Sequence, residues 1–402
     1  VRRDIAELFE LDPALTHLNH GAFGAVPRSV REAQDRARAS VEGAPMRAFR
    51  DELPSALAAA RESAAAFVGV PAASTALVRN VTEAVGVVLQ GLGIGPGDDV
   101  VVSNHGYLTA GWSVEARGGT LRTATFGVDS GPRDVVTAFA SAVTPRTRLV
   151  VIDQITSPTA LVLPVAEVAA AVAPVPVLVD AAHVPGALPG LDVEALGVAF
   201  WSGNLHKWAY TPRAAATLWV APEHREAMRP LVTSWSHGLP FPERFDLQGT
   251  VDHSSWVAVP DGLAAWAGLG GWPQVHRNAD LLLRGAELVR EALGTDSPLG
   301  GIPSAPCLRL VALPEGVATT TEDAEALWQR PHGRLRRASG RVRRSGLPPA
   351  RRRALQRRVR LRPARGRAAR GPRRLNPMRP MSAGCGKIDR PPERCPRGGP
   401  AP

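Results

Sequence analysis

The chain has 402 residues, 44% of them hydrophobic, and a formal net charge of +11, enough length for one large buried core and a second, smaller one. No apolar run reaches the roughly eighteen residues of a membrane-spanning helix. The three cysteines, at 307, 385 and 395, are too few for a disulfide framework and fit a reducing cytoplasm.

The charge is unevenly spread. Residues 1–330 hold 25 Lys+Arg against 35 Asp+Glu, whereas residues 331–402 hold 23 against 2. The basicity that would suggest nucleic acid therefore belongs to the tail, and nucleic acid is not expected as a partner of the rest. Up to residue 330 the cations are 24 arginines and a single lysine, Lys207. Arginine cannot form an imine with an aldehyde and lysine can, so the retained lysine points to amine chemistry.

In chain order, Val1 to Glu10 carries Arg2, Arg3, Asp4 and Glu7 without an apolar run, so neither a signal peptide nor an anchor is expected there. SVREAQDRARASVE (29–42) reads as a helix started by Ser29. Seven strand candidates then alternate with amphipathic stretches: TALVRN (75–80), DDVVVS (98–103), TLRTATF (120–126), RLVVID (148–153), PVLVDAA (176–182), VAFWSG (198–203) and AAATLWV (214–220). Between them TEAVGVVLQGL (82–92), PRDVVTAFASAV (132–143) and VAEVAAAV (165–172) have helical apolar spacing. The pattern predicts a doubly wound, mostly parallel sheet with helices on both faces and ligands at the carboxyl ends of its strands. GLGIGPGDD (91–99) lies between a helix and the next strand, the wrong order for a dinucleotide loop, and reads as a turn. Downstream, 260–271 and 274–294 read as helices, CLRLVALP (307–314) as a strand and EDAEALWQR (322–330) as a helix. The expected organisation is an N-terminal segment (1–28), a large domain (29–258), an incomplete smaller α/β domain (259–330) and a tail (331–402). That tail is too arginine-dense and too poor in aromatics to build a buried layer. It reads as coding sequence translated in a shifted frame, so a frameshift near residue 330 is expected.

Polar residues gather at four predicted strand ends. Asp180 closes an apolar strand, where a buried carboxylate needs a partner; one use is to keep a pyridinium nitrogen protonated. Arg79-Asn80-Val81-Thr82 runs into a helix whose free N–H groups make a phosphate site. His105 follows the second strand and could stack on an aromatic ring. Asn204, His206 and Lys207 follow the sixth.

VLVDAAH (177–183) and GNLHKW (203–208), with its lysine 24 residues beyond His183, resemble the class V aminotransferase family of fold type I pyridoxal-phosphate (PLP) enzymes. LNHGAFGAVP (18–27), VRNVTEAV (78–85), DQITSPTALVLPV (153–165) and QGTVDHSSWVAVP (248–260) look most like its isopenicillin N epimerase-like branch, and the likeness covers roughly residues 15 to 330. The resemblance implies a fold type I transferase with a seven-stranded, mostly parallel sheet sandwiched by helices. It implies Lys207 as Schiff-base lysine and acid/base, Asp180 on the pyridine nitrogen, His183 on the ring hydroxyl and His105 stacked on the ring, with Tyr107 as the lesser candidate. Thr82, Asn204 and His206 would hold the phosphate, joined by Thr250 reaching across a homodimer. Asn19 and His20 would line the substrate entrance. Asn204 replaces a serine common among relatives, and Gln154 a histidine usual in this branch. The arginine that normally binds the substrate carboxylate is missing after Arg330, leaving Arg213 and Arg309 as stand-ins.

The resemblance therefore implies a cytoplasmic enzyme acting at the α-carbon of an amino acid, an epimerase, racemase or aminotransferase. A PLP-dependent C-S lyase or cysteine desulfurase is the alternative within the family; a desulfurase needs a mobile reactive cysteine, and Cys307 lies in a predicted strand. Outside it stand a catalytically impaired member and an arginine-tailed binding protein. A metal site from His105, Asp180, His183 and His206 would leave Lys207 without a role, so no metal is expected.

Overall fold

The computed structural model describes residues 3–13, 16–297 and 300–329; the arginine-rich tail and its expected frameshift lie outside the described residues. The strands are β1 (Thr75–Val78), β2 (Asp99–Ser103), β3 (Thr120–Ala124), β4 (Thr147–Asp153), β5 (Val177–Asp180), β6 (Phe200–Asn204) and β7 (Ala216–Val220). The main helices are α1 (Arg28–Gly43), α2 (Leu53–Val68), α3 (Val81–Gly91), α4 (Leu108–Glu115), α5 (Pro132–Ala142), α6 (Val165–Val172), α7 (Val259–Gly268), α8 (Gly271–Leu293) and α9 (Thr321–Gln329). All seven predicted strands are present, and they form one sheet in the order β1-β7-β6-β5-β4-β2-β3. Pairing is parallel from β3 through β6, and β7 runs antiparallel to both of its neighbours.

Strands such as VVID and VLVD are apolar on both faces because helices cover both. On one face Leu57 of α2, Phe139 of α5 and Val168 of α6 pack with Val150, Ile152, Val177 and Val179. On the other, Val85 and Val88 of α3 and Val114 of α4 pack with Leu149, Val151, Leu178 and Phe200. Side chains alternate along a strand, so Asp153 and Asp180, the last residues of β4 and β5, share the α3/α4 face. Short connections after β2, β4, β5 and β6 converge on this carboxyl edge.

Two expectations are corrected. Ser29 does not start α1; Pro27, extended at φ −60° and ψ 148°, holds the N-cap position without a side-chain hydrogen bond, and Ser29 lies one residue inside. CLRLVALP forms no strand. Residues 307–314 carry no ladder, because an extended segment becomes a strand only where a neighbour supplies its backbone partners, and the adjacent pairing is a lone bridge, Leu161 to Ser304. The expected boundary at 258/259 falls between the helix Ser254–Val257 and α7, which follow with no linker. Among the described residues no helix is long and apolar enough to cross a membrane.

Candidate active site

Lys207 lies just beyond β6, with Nζ 3.2 Å from His183 Nε2. Trp208 Nε1 donates to His183 Nδ1 at 3.4 Å. An indole nitrogen only donates, so Nδ1 accepts and the neutral ring keeps its proton on Nε2. That N–H then faces Lys207 Nζ. Burial pushes both groups the same way. It holds His183 well below the usual histidine range and lowers the Lys207 amine, against the opposing charges of Asp180 and Asp153.

Asp180 is buried at 5% exposure. Its Oδ1 accepts the Ala182 N–H at 3.0 Å, leaving Oδ2 for a ligand donor. Burial raises its carboxyl, while the Ala182 N–H and the Lys207 charge favour the anion.

The segment LNHGAFGAVP lies over the lysine loop. His20 Nε2 donates to the Lys207 carbonyl at 2.7 Å and Nδ1 accepts the Ala25 N–H at 3.3 Å. Both ring nitrogens are thus used within the chain, and the ring packs on Trp208 at 5.0 Å and Tyr210 at 5.5 Å. His20 therefore braces the loop; the expected entrance role leaves it no free ring nitrogen. Asn19 is half-buried beside it and makes no capping hydrogen bond. Gly24 has φ +66°, and a Cβ there would collide with the His206 carbonyl, so only glycine lets the two backbones meet.

At the other end of the site Asn80, not Thr82, caps α3, its side chain accepting the Glu83 N–H at 2.9 Å. Asn204 Oδ1 accepts the Val81 N–H at 3.1 Å. Thr82 is exposed, so its N–H and hydroxyl remain for an anion at the helix N-terminus. His206 Nδ1 donates to the Ala215 carbonyl at 2.9 Å; burial pushes its pKa down to about 4, so the ring is neutral with Nε2 free. Thr250 is exposed on the loop before Ser254 and has no hydrogen bond to these residues among those described. Arg213 is largely exposed and donates to the Gly24 carbonyl at 2.9 Å. Arg309 likewise donates to backbone carbonyls, those of Ala305 and Leu308.

His105 is buried and stacked on Phe126 with centroids 4.5 Å apart. Its Nε2 donates to the Phe126 carbonyl at 2.9 Å, so Nδ1 accepts from Thr159 Oγ1 at 3.0 Å. Gln154 lies on the opposite face from this edge, accepting from Trp201 Nε1 at 2.9 Å; its departure from the usual histidine is a core contact. One carboxylate is new to the site. Asp153 ends the apolar run RLVVID, the signature that marks Asp180, and is buried at 4% exposure. A second application of the strand-end rule finds it.

Cys307 sits in a turn, half-buried, its thiol pushed up to about 12 by desolvation. Beside it opens an apolar cavity of about 130 Å³ lined in part by Trp208, Tyr210 and Trp266. Among the described residues no cluster of three His, Cys, Asp or Glu is placed to hold a metal ion.

A lysine amine lowered by burial, a carboxylate at a neighbouring strand end, a planar histidine above the same edge and a helix N-terminus with an unused N–H make a donor set that fits a pyridine aldehyde bearing a phosphate. Fold and site define a PLP-dependent enzyme of fold type I. The family model for class-V aminotransferases matches residues 22–237. The chain is 31% identical over 350 residues to isopenicillin N epimerase of Streptomyces clavuligerus, covering 80% of this chain and 86% of that one. It is 30% identical over 349 residues to putative L-cysteine desulfhydrase 2 of Oryza sativa subsp. japonica, covering 79% and 72%. A mutant of C-DES with glycine covalently linked to its PLP cofactor shares the fold at TM-score 0.62 and 23% identity, over 71% of this chain and 80% of that one. The chain belongs to the class-V aminotransferase family.

Proposed function

We propose that this enzyme breaks a bond at the α-carbon of an amino acid, with isopenicillin N epimerase-like isomerisation as its reaction. The observation that carries the reading is the Lys207 amine, lowered by burial and set 3.2 Å from His183 Nε2. When bound, PLP draws electrons from the bonds of the substrate α-carbon. Lys207 Nζ takes up the α-proton, and a proton delivered to the opposite face inverts the centre. Asp180 holds a proton on the pyridine nitrogen through Oδ2. His183 orients Lys207 and meets the ring hydroxyl, while His105, fixed by its two hydrogen bonds, covers the ring face. Thr82 receives the phosphate at the α3 N-terminus, with Asn204 and His206 beside it.

A homodimer completes the site. The segment that carries Thr250 exposes Leu231, Val232, Leu239 and Val251, with Trp235 at 94% exposure. So much apolar surface on one connection is characteristic of an interface. Thr250 would reach the partner's phosphate from there. Asn19 would line the entrance, and Arg213 would serve there as the substitute carboxylate ligand. The cysteine count favours the cytoplasm.

The desulfhydrase relatives support a second reading, C-S lyase chemistry, which needs the same Lys207 and no thiol nucleophile. A desulfurase-type thiol is disfavoured, because a Cys307 pKa of about 12 leaves almost no thiolate. The first test is the visible spectrum of the purified protein with added PLP, followed by borohydride reduction and mapping of the modified residue. A reducible band mapping to Lys207 is expected; a band elsewhere, or none in folded protein, refutes the reading. Amino acids are then screened in deuterium oxide. Deuterium at the α-carbon with loss of optical purity marks an epimerase, and sulfide release marks a lyase.

A further inference from the structure

Asp153 and Asp180 are in-register partners on adjacent parallel strands, so their side chains leave the same face of the sheet with backbones about 4.8 Å apart. Both are buried, at 4% and 5% exposure, and two carboxylates so placed cannot both ionise without a large cost. Their hydrogen bonds differ. Asp180 Oδ1 takes the Ala182 N–H within its own loop. Asp153 Oδ1 takes the Tyr107 N–H at 3.2 Å, from the turn two residues beyond His105, and its Oδ2 lies 3.2 Å from where a Cβ on Gly106 would be.

We propose that Asp153 is a positioning residue of this site, pinning the turn that carries His105 while adjusting, as a proton-holding carboxyl, the charge felt by Lys207 and Asp180. The proposal rests on the PLP reading above. Burial and the Asp180 charge hold the Asp153 carboxyl well above the usual range, with the Tyr107 N–H and the Lys207 charge opposing. The in-register pair therefore shares a proton over a range in which two separate carboxyls would both have lost theirs. The groups that face it are Asp180 on β5 and Lys207 beyond β6; the turn after β2 offers it Gly106 and the Tyr107 backbone N–H. A carboxyl whose folded pKa is raised contributes stability below its unfolded pKa and loses it as pH rises through the folded one. An asparagine would fill the same space without that loss, so the carboxyl is a standing cost that a structural role does not explain.

The test is Asp153→Asn, which keeps an oxygen for the Tyr107 N–H and removes the ionisation. For the full chain without cofactor, melting temperature is followed from pH 5 to pH 8.5. The variant is expected to gain on the wild type by several degrees as pH rises; parallel curves overturn the proposal. With PLP bound, the pH midpoint of the visible spectrum is expected to move down by at least half a unit, because an asparagine cannot ionise as pH rises and add the negative charge that would keep a proton near Lys207; an unmoved midpoint overturns it. Asp180→Asn is the second variant, should the first fail to fold. With Asp180 uncharged, Asp153 ionises more easily and the pH-dependent loss shrinks toward half or less; an undiminished loss overturns the proposal. A wild type that takes no PLP would refute the functional reading, while the cofactor-free melting curves would still judge whether Asp153 titrates beside Asp180.

Discussion

Gly24 and Gly93 share a φ angle and differ in what surrounds them. Their φ angles are +66° and +65°, but a Cβ on Gly24 would strike the His206 carbonyl whereas nothing lies within 4 Å of one on Gly93. Alanine at Gly93 incurs about 1–2 kcal/mol for its positive φ, offset by roughly 0.4–1 kcal/mol from the stiffer unfolded chain; at Gly24, with φ 66° and ψ 144°, it incurs at least as much, because that region is close to glycine-only. Gly93→Ala should therefore lose about 1 kcal/mol. Gly24→Ala must also push two backbones apart, which adds on the order of 1–3 kcal/mol, for a total of about 2–4 kcal/mol. In a domain this large each kcal/mol moves Tm by roughly 2 °C, so the expected drops are about 2 °C and about 4–8 °C. Differential scanning calorimetry reads them. The displaced segment carries His20, whose Nε2–H holds the Lys207 carbonyl, so PLP affinity should also fall in Gly24→Ala alone. Equal losses of stability, with PLP affinity unchanged, would refute the claim that LNHGAFGAVP is seated on the lysine loop.

Trp208→Phe removes the donor that fixes the His183 tautomer; one lost hydrogen bond, about 1 kcal/mol, should slow PLP uptake about fivefold in stopped-flow absorbance, and an unchanged rate would contradict the assignment. Trp235→Glu should weaken the homodimer by more than about a hundredfold, as for a central aromatic anchor, with sedimentation velocity as the readout; a wild type that sediments as a monomer at micromolar concentration rules out the interface. His206 has a folded pKa of about 4 against 6.5 unfolded, so it binds a proton more readily in the unfolded chain and stability falls as pH drops from 6.5 to 4. The loss is at most about 3 kcal/mol, and His206→Asn, which keeps an N–H for Ala215, should abolish it in urea titrations of the cofactor-free protein.

The sheet is legible in the sequence because each strand is a short β-branched run between polar ends, and the parallel order follows from helices spaced between those runs. Asp180 and Lys207 are legible for separate reasons, a carboxylate that ends an apolar strand and a lysine in a region that otherwise uses arginine. Asp153 carries the same signature as Asp180, and only its neighbour's stronger motif conceals it. CLRLVALP misleads because apolar alternation reports what a segment could bury, not whether a partner strand lies alongside. The work of His20 is not legible at all. It depends on a contact to a residue 187 positions away, and the local pattern NHGAF offers no means of separating a brace from a substrate ligand.

What the structure adds is the direction of each proton at the carboxyl edge. Trp208 fixes the His183 tautomer, and burial lowers the Lys207 amine that His183 faces. Two carboxyls on the same edge oppose that outcome, since each anion favours a protonated amine. The conflict is eased if the pair carries one negative charge rather than two, which is the condition that burial of Asp153 beside Asp180 creates. An amine ready to take a proton and a carboxylate ready to hold one can then coexist within the same few strand ends. Neither condition would survive if the edge were opened to water, because solvation would return the Lys207 amine to its ordinary range. The segment over the lysine loop and the glycine that lets it approach so closely therefore belong to the chemistry as much as to the fold.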